Sequence, residues 1–227
     1  MPIKLHYWNM AGRGDIVRML LGYLKQDYEF IPANPQTWAE DAKAIVEGGF
    51  HFPNLPMIED GDFKLSETNA IMQYLSDKYG DGTVSGKNLI DKALVHQFQG
   101  INFDLLLAFL GAVYSPDYKT KIPETVQQGS KALKLIQKLD SFLQGKDFLL
   151  GYFTYADLSI AMTFQMVSNV FQCAEIENPM NTLTLYNHAV RVFALPGIKE
   201  WYESDGFKNQ ASAIPWIKMC DLVEPSD

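Results

Sequence analysis

The sequence predicts two units in series: a small mixed α/β unit of about 80 residues, then an all-helical one. Three observations carry this. The first 80 residues alternate between strand-like and helix-like patterns, in the order βαβ, α, ββα. The stretch 81–89 is rich in Gly, Asp and Ser and reads as a linker. From residue 90 to the end every apolar pattern is helical.

Ile3, Leu5 and Tyr7 alternate with Lys4, His6 and Trp8, which is the period of a strand. After the Gly12–Gly14 turn, Ile16, Val17, Met19, Leu20, Leu21 and Leu24 form a mostly buried helix. Tyr28 to Pro32 is short and β-prone. Trp38 to Glu47 is a weaker helix, stopped by Gly48 and Gly49. Met57 to Leu65 holds Asp60-Gly61, a hairpin signal between two short strands. Thr68 to Tyr79 is a third helix, ended by Gly80. A right-handed βαβ unit followed by a hairpin and a helix closes into a small mixed sheet with helices packed on it.

Beyond the linker, Leu89 to Ser115 is a long apolar helix stopped by Pro116. Glu124 to Leu143 opens after Pro123, a favourable first-turn residue, and keeps Val126, Leu133, Ile136, Leu139 and Leu143 on one broad face. Thr154-Tyr-Ala-Asp157 reads as a capping box, with Phe153 and Leu158 at the staple positions, and starts a helix running to about Phe171. Leu183 to Ala194 and Gly197 to Ser204 are two more helices, separated by Pro196.

Composition narrows the function. The chain has 227 residues, 47% hydrophobic and 20% charged, as expected of a globular protein. Its net charge of −8 gives no general attraction to phosphate backbones or anionic lipid, so neither nucleic acid nor membrane is an expected partner. Two cysteines, Cys173 and Cys220, do not build a disulfide framework and suit a reducing compartment. The first residues lack a signal-type apolar core, and the longest apolar run, Leu105 to Tyr114, is shorter than the roughly 20 residues that span a bilayer. A cytoplasmic location is expected. His6, His51, His96 and His188 show no ligand spacing, so no metal is expected. There is no Cys-x-x-Cys, no P-loop and no third glycine after Gly12 and Gly14 for a dinucleotide fingerprint.

Four patterns sharpen the picture: Tyr7-Trp8 at the end of the first strand, Phe52-Pro-Asn-Leu-Pro56 before the hairpin, Glu67-Thr-Asn-Ala-Ile71 opening the third helix, and Thr154-x-x-Asp157. In this order and spacing the chain resembles the cytosolic glutathione transferases, particularly the tyrosine-type mu, pi and sigma classes. The resemblance covers about Ile3 to Asp205. It implies a thioredoxin-like domain at 1–80 that binds glutathione, a linker at 81–89, and a helical domain at 90–227 that supplies the electrophile site. It also implies a homodimer, with glutathione as co-substrate and no prosthetic group. The activity implied is conjugation of the glutathione thiolate to soft hydrophobic electrophiles. The alternatives are a non-catalytic ligand-binding or lens-type relative and a glutathione-dependent isomerase.

The resemblance also assigns roles. Tyr7 matches the catalytic tyrosine. A free thiol with pKa near 8.5 is only about 3% thiolate at pH 7, and a phenol donating to the sulfur stabilises the anion. Pro56 matches a cis-proline that presents the Leu55 backbone to the cysteinyl part of glutathione. Asn54 matches a mu-type ligand contact. Glu67 and Thr68 match the site of the γ-glutamyl end, at a helix N-terminus suited to a carboxylate. Trp8, Trp38 and Lys43 are candidates for the glycyl end, and Arg13 matches an arginine of the pi-type first loop. Class markers are mixed, since Pro35 and Ala11 stand where mu-type and other members carry arginine.

Asp104 and Tyr114 lie about 15 Å apart along one helix and about 80° apart in azimuth, so both can border one cleft. They match a mu-type acid that reaches the partner's glutathione amine and a second tyrosine that protonates an oxyanion. Phe52 matches an aromatic key inserted into the partner subunit. Met10, Ala11, Phe109, Tyr114 and the tail around Ile214 and Trp216 are expected to line the electrophile site.

Overall fold

A computed structural model of the chain describes residues 2–173, 175, 177, 178 and 183–210. The N-terminal part runs β1 (Ile3–Trp8), α1 (Arg13–Tyr23), β2 (Tyr28–Ala33), α2 (Trp38–Glu47), β3 (Met57–Asp60), β4 (Phe63–Ser66) and α3 (Thr68–Tyr79). The helical part follows with α4 (Leu89–Val113), α5 (Tyr118–Thr125), α6 (Lys131–Leu143), α7 (Tyr155–Cys173), α8 (Thr184–Phe193), α9 (Ile198–Tyr202) and α10 (Asp205–Lys208).

The sheet order is β2-β1-β3-β4. β1 pairs parallel to β2, with Tyr7 opposite Pro32, and antiparallel to β3. Pro32 has no N–H to give, and the edge position of β2 tolerates that. The alternation expected of β1 is present: Ile3, Leu5 and Tyr7 are buried, whereas Lys4 is exposed. Ile3 and Leu5 join the main core with α1 and α3, while Tyr7 closes a smaller cluster with Leu55 and Met57. That second cluster is where the sheet ends and the site begins.

One reading of the helical part needs correction. Pro123 does not open the helix that ends at Leu143. It lies near the end of α5, which stops two residues later. Gly129, at φ +89°, breaks the chain, and the Ser130 hydroxyl restarts it by accepting the Leu133 N–H at 3.1 Å. By length and composition α4 is able to cross a membrane, although no uninterrupted apolar run in it is long enough. In the fold it is instead a packing helix, with Val95, Phe98, Leu105 and Phe109 buried and Gln99 bonded to Ser159 of α7 at 2.9 Å.

The start of α7 is fixed by Asp157, whose carboxylate accepts the N–H and hydroxyl of Thr154, both at 2.8 Å. Among the described residues only this half of the expected capping box forms. Phe153 and Leu158 are both buried in the main core, as staple residues should be.

Candidate active site

The site is built from the end of β1, the loop into α1, the turn before β3 and the start of α3. Tyr7 is 6% exposed. Its hydroxyl oxygen accepts the N–H of Arg13, the first residue of α1, at 3.1 Å. The phenol therefore keeps its own proton for another partner. Burial pushes the Tyr7 hydroxyl above its usual pKa, and the Arg13 cation and its N–H pull against this. The net rise leaves Tyr7 a protonated donor at neutral pH.

The two glycines of the loop exist for this ring. A Cβ on Gly14 would lie 2.3 Å from Tyr7 Cδ1, and one on Gly12 would lie 2.6 Å from the hydroxyl. Gly12 also has φ +153°. Sequence spacing identified a turn here, and the contact supplies the reason for glycine. Gly14→Ala is expected to push the ring aside. Overpacking of this kind costs about 1–3 kcal/mol, and a displacement of about 1 Å costs up to about 100-fold in rate. Steady-state kinetics beside a thermal melt checks this; an unchanged kcat/KM would show that the ring is not held here.

Asn54, Leu55, Pro56 and Glu67 come together. The Leu55–Pro56 peptide bond is cis. Asn54 Oδ1 accepts the Leu55 N–H at 3.0 Å, and Asn54 Nδ2 donates to Glu67 Oε1 at 2.9 Å. The turn is anchored to β4 by the Ser66 hydroxyl, which donates to the Phe52 carbonyl at 2.7 Å. Glu67 precedes α3 at φ 71°, a region that costs a non-glycine residue energy and that clusters at ligand sites. Beside it, Thr68 Oγ1 is buried with no hydrogen-bond partner among the described residues. Buried hydroxyls are normally paired, so this one stands out at the N-terminus of α3.

Trp8 and Trp38 meet edge to face at 5.7 Å between ring centroids and pack on the Tyr7 cluster. Lys43 is exposed on α2, and the Arg13 side chain is exposed at the start of α1. Phe52 is 78% exposed, so it does not pack on its own domain.

The remaining expected residues lie on the helical side. Asp104 forms an exposed ion pair with Lys131 of α6 at 2.9 Å. Tyr114 follows the last residue of α4 and is exposed. Phe109 corrects an expectation: it is fully buried in the main core and offers no surface to a ligand. Ile214 and Trp216 lie outside the described residues. Sequence reasoning missed Asp15, a fully buried carboxylate at the start of α1. Its signal was an acid three residues after Gly12, the N3 position of a capped helix.

Family models agree with this geometry. The glutathione S-transferase N-terminal domain matches residues 3–77, and the glutathione S-transferase C-terminal domain matches residues 103–205. Glutathione S-transferase Mu 1 of Oryctolagus cuniculus is 30% identical over 169 residues, 70% of this chain and 73% of its own. The chain belongs to the glutathione S-transferases.

Within that family its type is mu-like. The class-mu 26 kDa isozyme 51 of Fasciola hepatica is 28% identical over 219 residues, covering 91% of each chain. The solved structure of NaGST-2 shares the fold, with a TM-score of 0.73 over 90% of this chain and 97% of that one at 24% identity. As a glutathione S-transferase, the chain is an enzyme with glutathione as its co-substrate.

Proposed function

We propose that this glutathione S-transferase ionises its co-substrate through Tyr7 and adds the thiolate to soft, hydrophobic electrophiles. The observation that carries the reading is the Tyr7 oxygen capped by the Arg13 N–H at 3.1 Å, which leaves the phenolic proton free for the sulfur. The thiol proton leaves to solvent. The sulfur then attacks an electrophilic carbon, forming a C–S bond and either expelling a leaving group or generating an oxyanion. Tyr114 supplies a proton in the second case.

The division of labour follows the chain: residues 1–80 bind glutathione, 81–89 link, and 90–227 furnish the electrophile site. Thr68 and Glu67 take the γ-glutamyl end, the hydroxyl and the α3 N-terminus receiving its carboxylate and Glu67 its ammonium group. Leu55, beside Asn54 and Pro56, pairs with the cysteinyl backbone after its N–H leaves Asn54 Oδ1. Trp8, Trp38, Lys43 and Arg13 surround the glycyl end. Retention of Tyr7 and an unsatisfied Thr68 hydroxyl favours turnover over a storage or lens-type role. The test is turnover with glutathione and a chlorodinitrobenzene-type electrophile; binding without turnover of this or other electrophiles would sink the reading.

The working form is a cytoplasmic homodimer in this reading. The family and the exposed Phe52 support the pairing, and the two cysteines support the compartment. Phe52 enters the partner subunit, and Asp104 exchanges Lys131 for the partner's bound glutathione amine. Phe52→Ser is expected to weaken the dimer by about 2 kcal/mol or more, about 30-fold in dissociation constant. Sedimentation velocity over a dilution series checks this, and an unshifted dimer would remove Phe52 from the interface.

A further inference from the structure

Asp15 has no part in the site as assigned above, yet it touches the loop that holds Tyr7. It is fully buried, and all four of its hydrogen-bond partners are donors, so it serves as an ionised carboxylate. Oδ2 accepts the Gly12 N–H at 2.8 Å. Oδ1 accepts from Arg18 Nη1 at 2.8 Å, Trp201 Nε1 at 3.2 Å and Gln210 Nε2 at 3.0 Å. Burial pushes its carboxyl upward, and Arg18 and these N–H donors pull it back.

Gly12 and Arg13 are consecutive. The N–H of the first goes to Asp15, and the N–H of the second goes to the Tyr7 oxygen. Between them the Gly12 carbonyl accepts the Asp15 N–H at 3.0 Å, so Asp15 holds both the Gly12 N–H and the peptide plane that carries the Arg13 N–H. On its other side the same carboxylate is held by Trp201 of α9 and Gln210 beyond α10, so the helical part of the chain grips it. Arg18 completes the joint, with its guanidinium carbon 4.1 Å from the Phe30 ring centroid and 5.0 Å from that of Trp201.

We propose that Asp15 is a positioning residue for thiolate formation: it ties Trp201 and Gln210 to the Gly12–Arg13 amides, so the seating of α9 and α10 on α1 sets the hydrogen bonding of the Tyr7 hydroxyl. The proposal rests on Tyr7 as the thiolate stabiliser. It also predicts a sign. A buried negative charge near Tyr7 disfavours a second anion, so removing it by electrostatics alone would lower the thiol pKa. Loss of positioning would raise it, because a Tyr7 oxygen without its Arg13 donor is a weaker acid towards sulfur.

The experiment measures the pKa of glutathione bound to the full-length enzyme, from the ultraviolet absorbance of its thiolate, together with kcat and KM. Trp201→Phe keeps an aromatic ring beside Arg18 and Phe207 and removes one donor to Asp15. The expected rise is about half a pKa unit for Trp201→Phe and about one unit for Asp15→Asn, from one or more hydrogen bonds. The loss falls on kcat more than on KM for glutathione. Both effects vanish when Tyr7 is already Phe. A lowered thiol pKa in Asp15→Asn, or an unshifted one in Trp201→Phe, overturns the proposal, and Trp201→Phe decides it if Asp15→Asn does not fold. A Tyr7→Phe enzyme with an unshifted thiol pKa instead overturns the Tyr7 reading and this proposal with it.

Discussion

Replacing Tyr7 by phenylalanine is expected to return the bound thiol to about its free pKa, a rise of about two units. At pH 7 the thiolate then falls from about three-quarters of the bound glutathione to about 3%, a loss of roughly 25-fold in rate. One unit lower the loss approaches 100-fold, and well above pH 9 it disappears, because the thiol ionises unaided. The energy required is about 2.7 kcal/mol, which one charge-assisted hydrogen bond of about 1.5–3 kcal/mol nearly supplies. Two features of the site support the upper end of that range. The Tyr7 oxygen already accepts the Arg13 N–H, so donation to sulfur is strengthened by the bond behind it. Burial also keeps Tyr7 protonated, with the Arg13 cation working the other way. Phenylalanine preserves the ring that Gly14 accommodates, so the comparison isolates the hydroxyl. The measurement is kcat/KM from about pH 6 to about pH 9, around the reference thiol pKa. If the variant keeps wild-type rates at the acid end, the central residue has been assigned wrongly.

Local signals were legible where the residues that decide them are close in sequence. The helices at Trp38–Glu47 and Thr68–Tyr79 have the bounds that their turn residues predict, because glycine closes both. The hairpin around Asp60-Gly61 is likewise a local event. Tyr7, the Asn54–Pro56 turn and Glu67–Thr68 were readable as motifs, and the fold brings them to one end of the sheet. Pro123 was misread because a proline suits a first turn, whereas here it lies inside α5, two residues before its end, and the Gly129-Ser130 restart marks the next helix. Phe109 and Tyr114 share an apolar helix, and its period does not tell a core residue from an exposed one. Asp15 was legible as a capping acid but not as part of a joint. Its partners Trp201 and Gln210 lie 186 and 195 residues away, and no spacing rule pairs residues at that distance. What sequence left unread is thus mostly the joint between the two units.

Asp157→Ala is expected to be the most destabilising single change outside the site. The carboxylate is fully buried and satisfies four donors: the Leu149 N–H at 2.8 Å, the Thr154 N–H and hydroxyl, and His188 at 2.9 Å. His188 Nδ1 has no partner among the described residues, so the proton that bonds Asp157 belongs on Nε2. Alanine leaves all four donors without an acceptor in a dry environment. Each buried donor left unpaired costs about 1–3 kcal/mol, so roughly 3–5 kcal/mol is expected here, and for a chain of this size each kcal/mol lowers Tm by about 2–4 °C. A fall of roughly 6–20 °C is therefore expected in a thermal melt. Asp157→Asn should lie between alanine and wild type. Its amide oxygen still accepts on one side, but in either orientation its NH2 faces donors. Thr154→Val tests one arm alone and should cost about 1 kcal/mol, the net worth of one hydrogen bond. A loss under about 1 kcal/mol for alanine would mean that packing, not this carboxylate, fixes the start of α7. The consequence reaches the chemistry through α1, which packs on both α7 and α9. A helical unit that loosens at Asp157 loosens the same seating that holds Asp15, so partial destabilisation should raise the thiol pKa before global unfolding is detected. Thiolate absorbance and the melt, followed on one sample across temperature, would separate in that order.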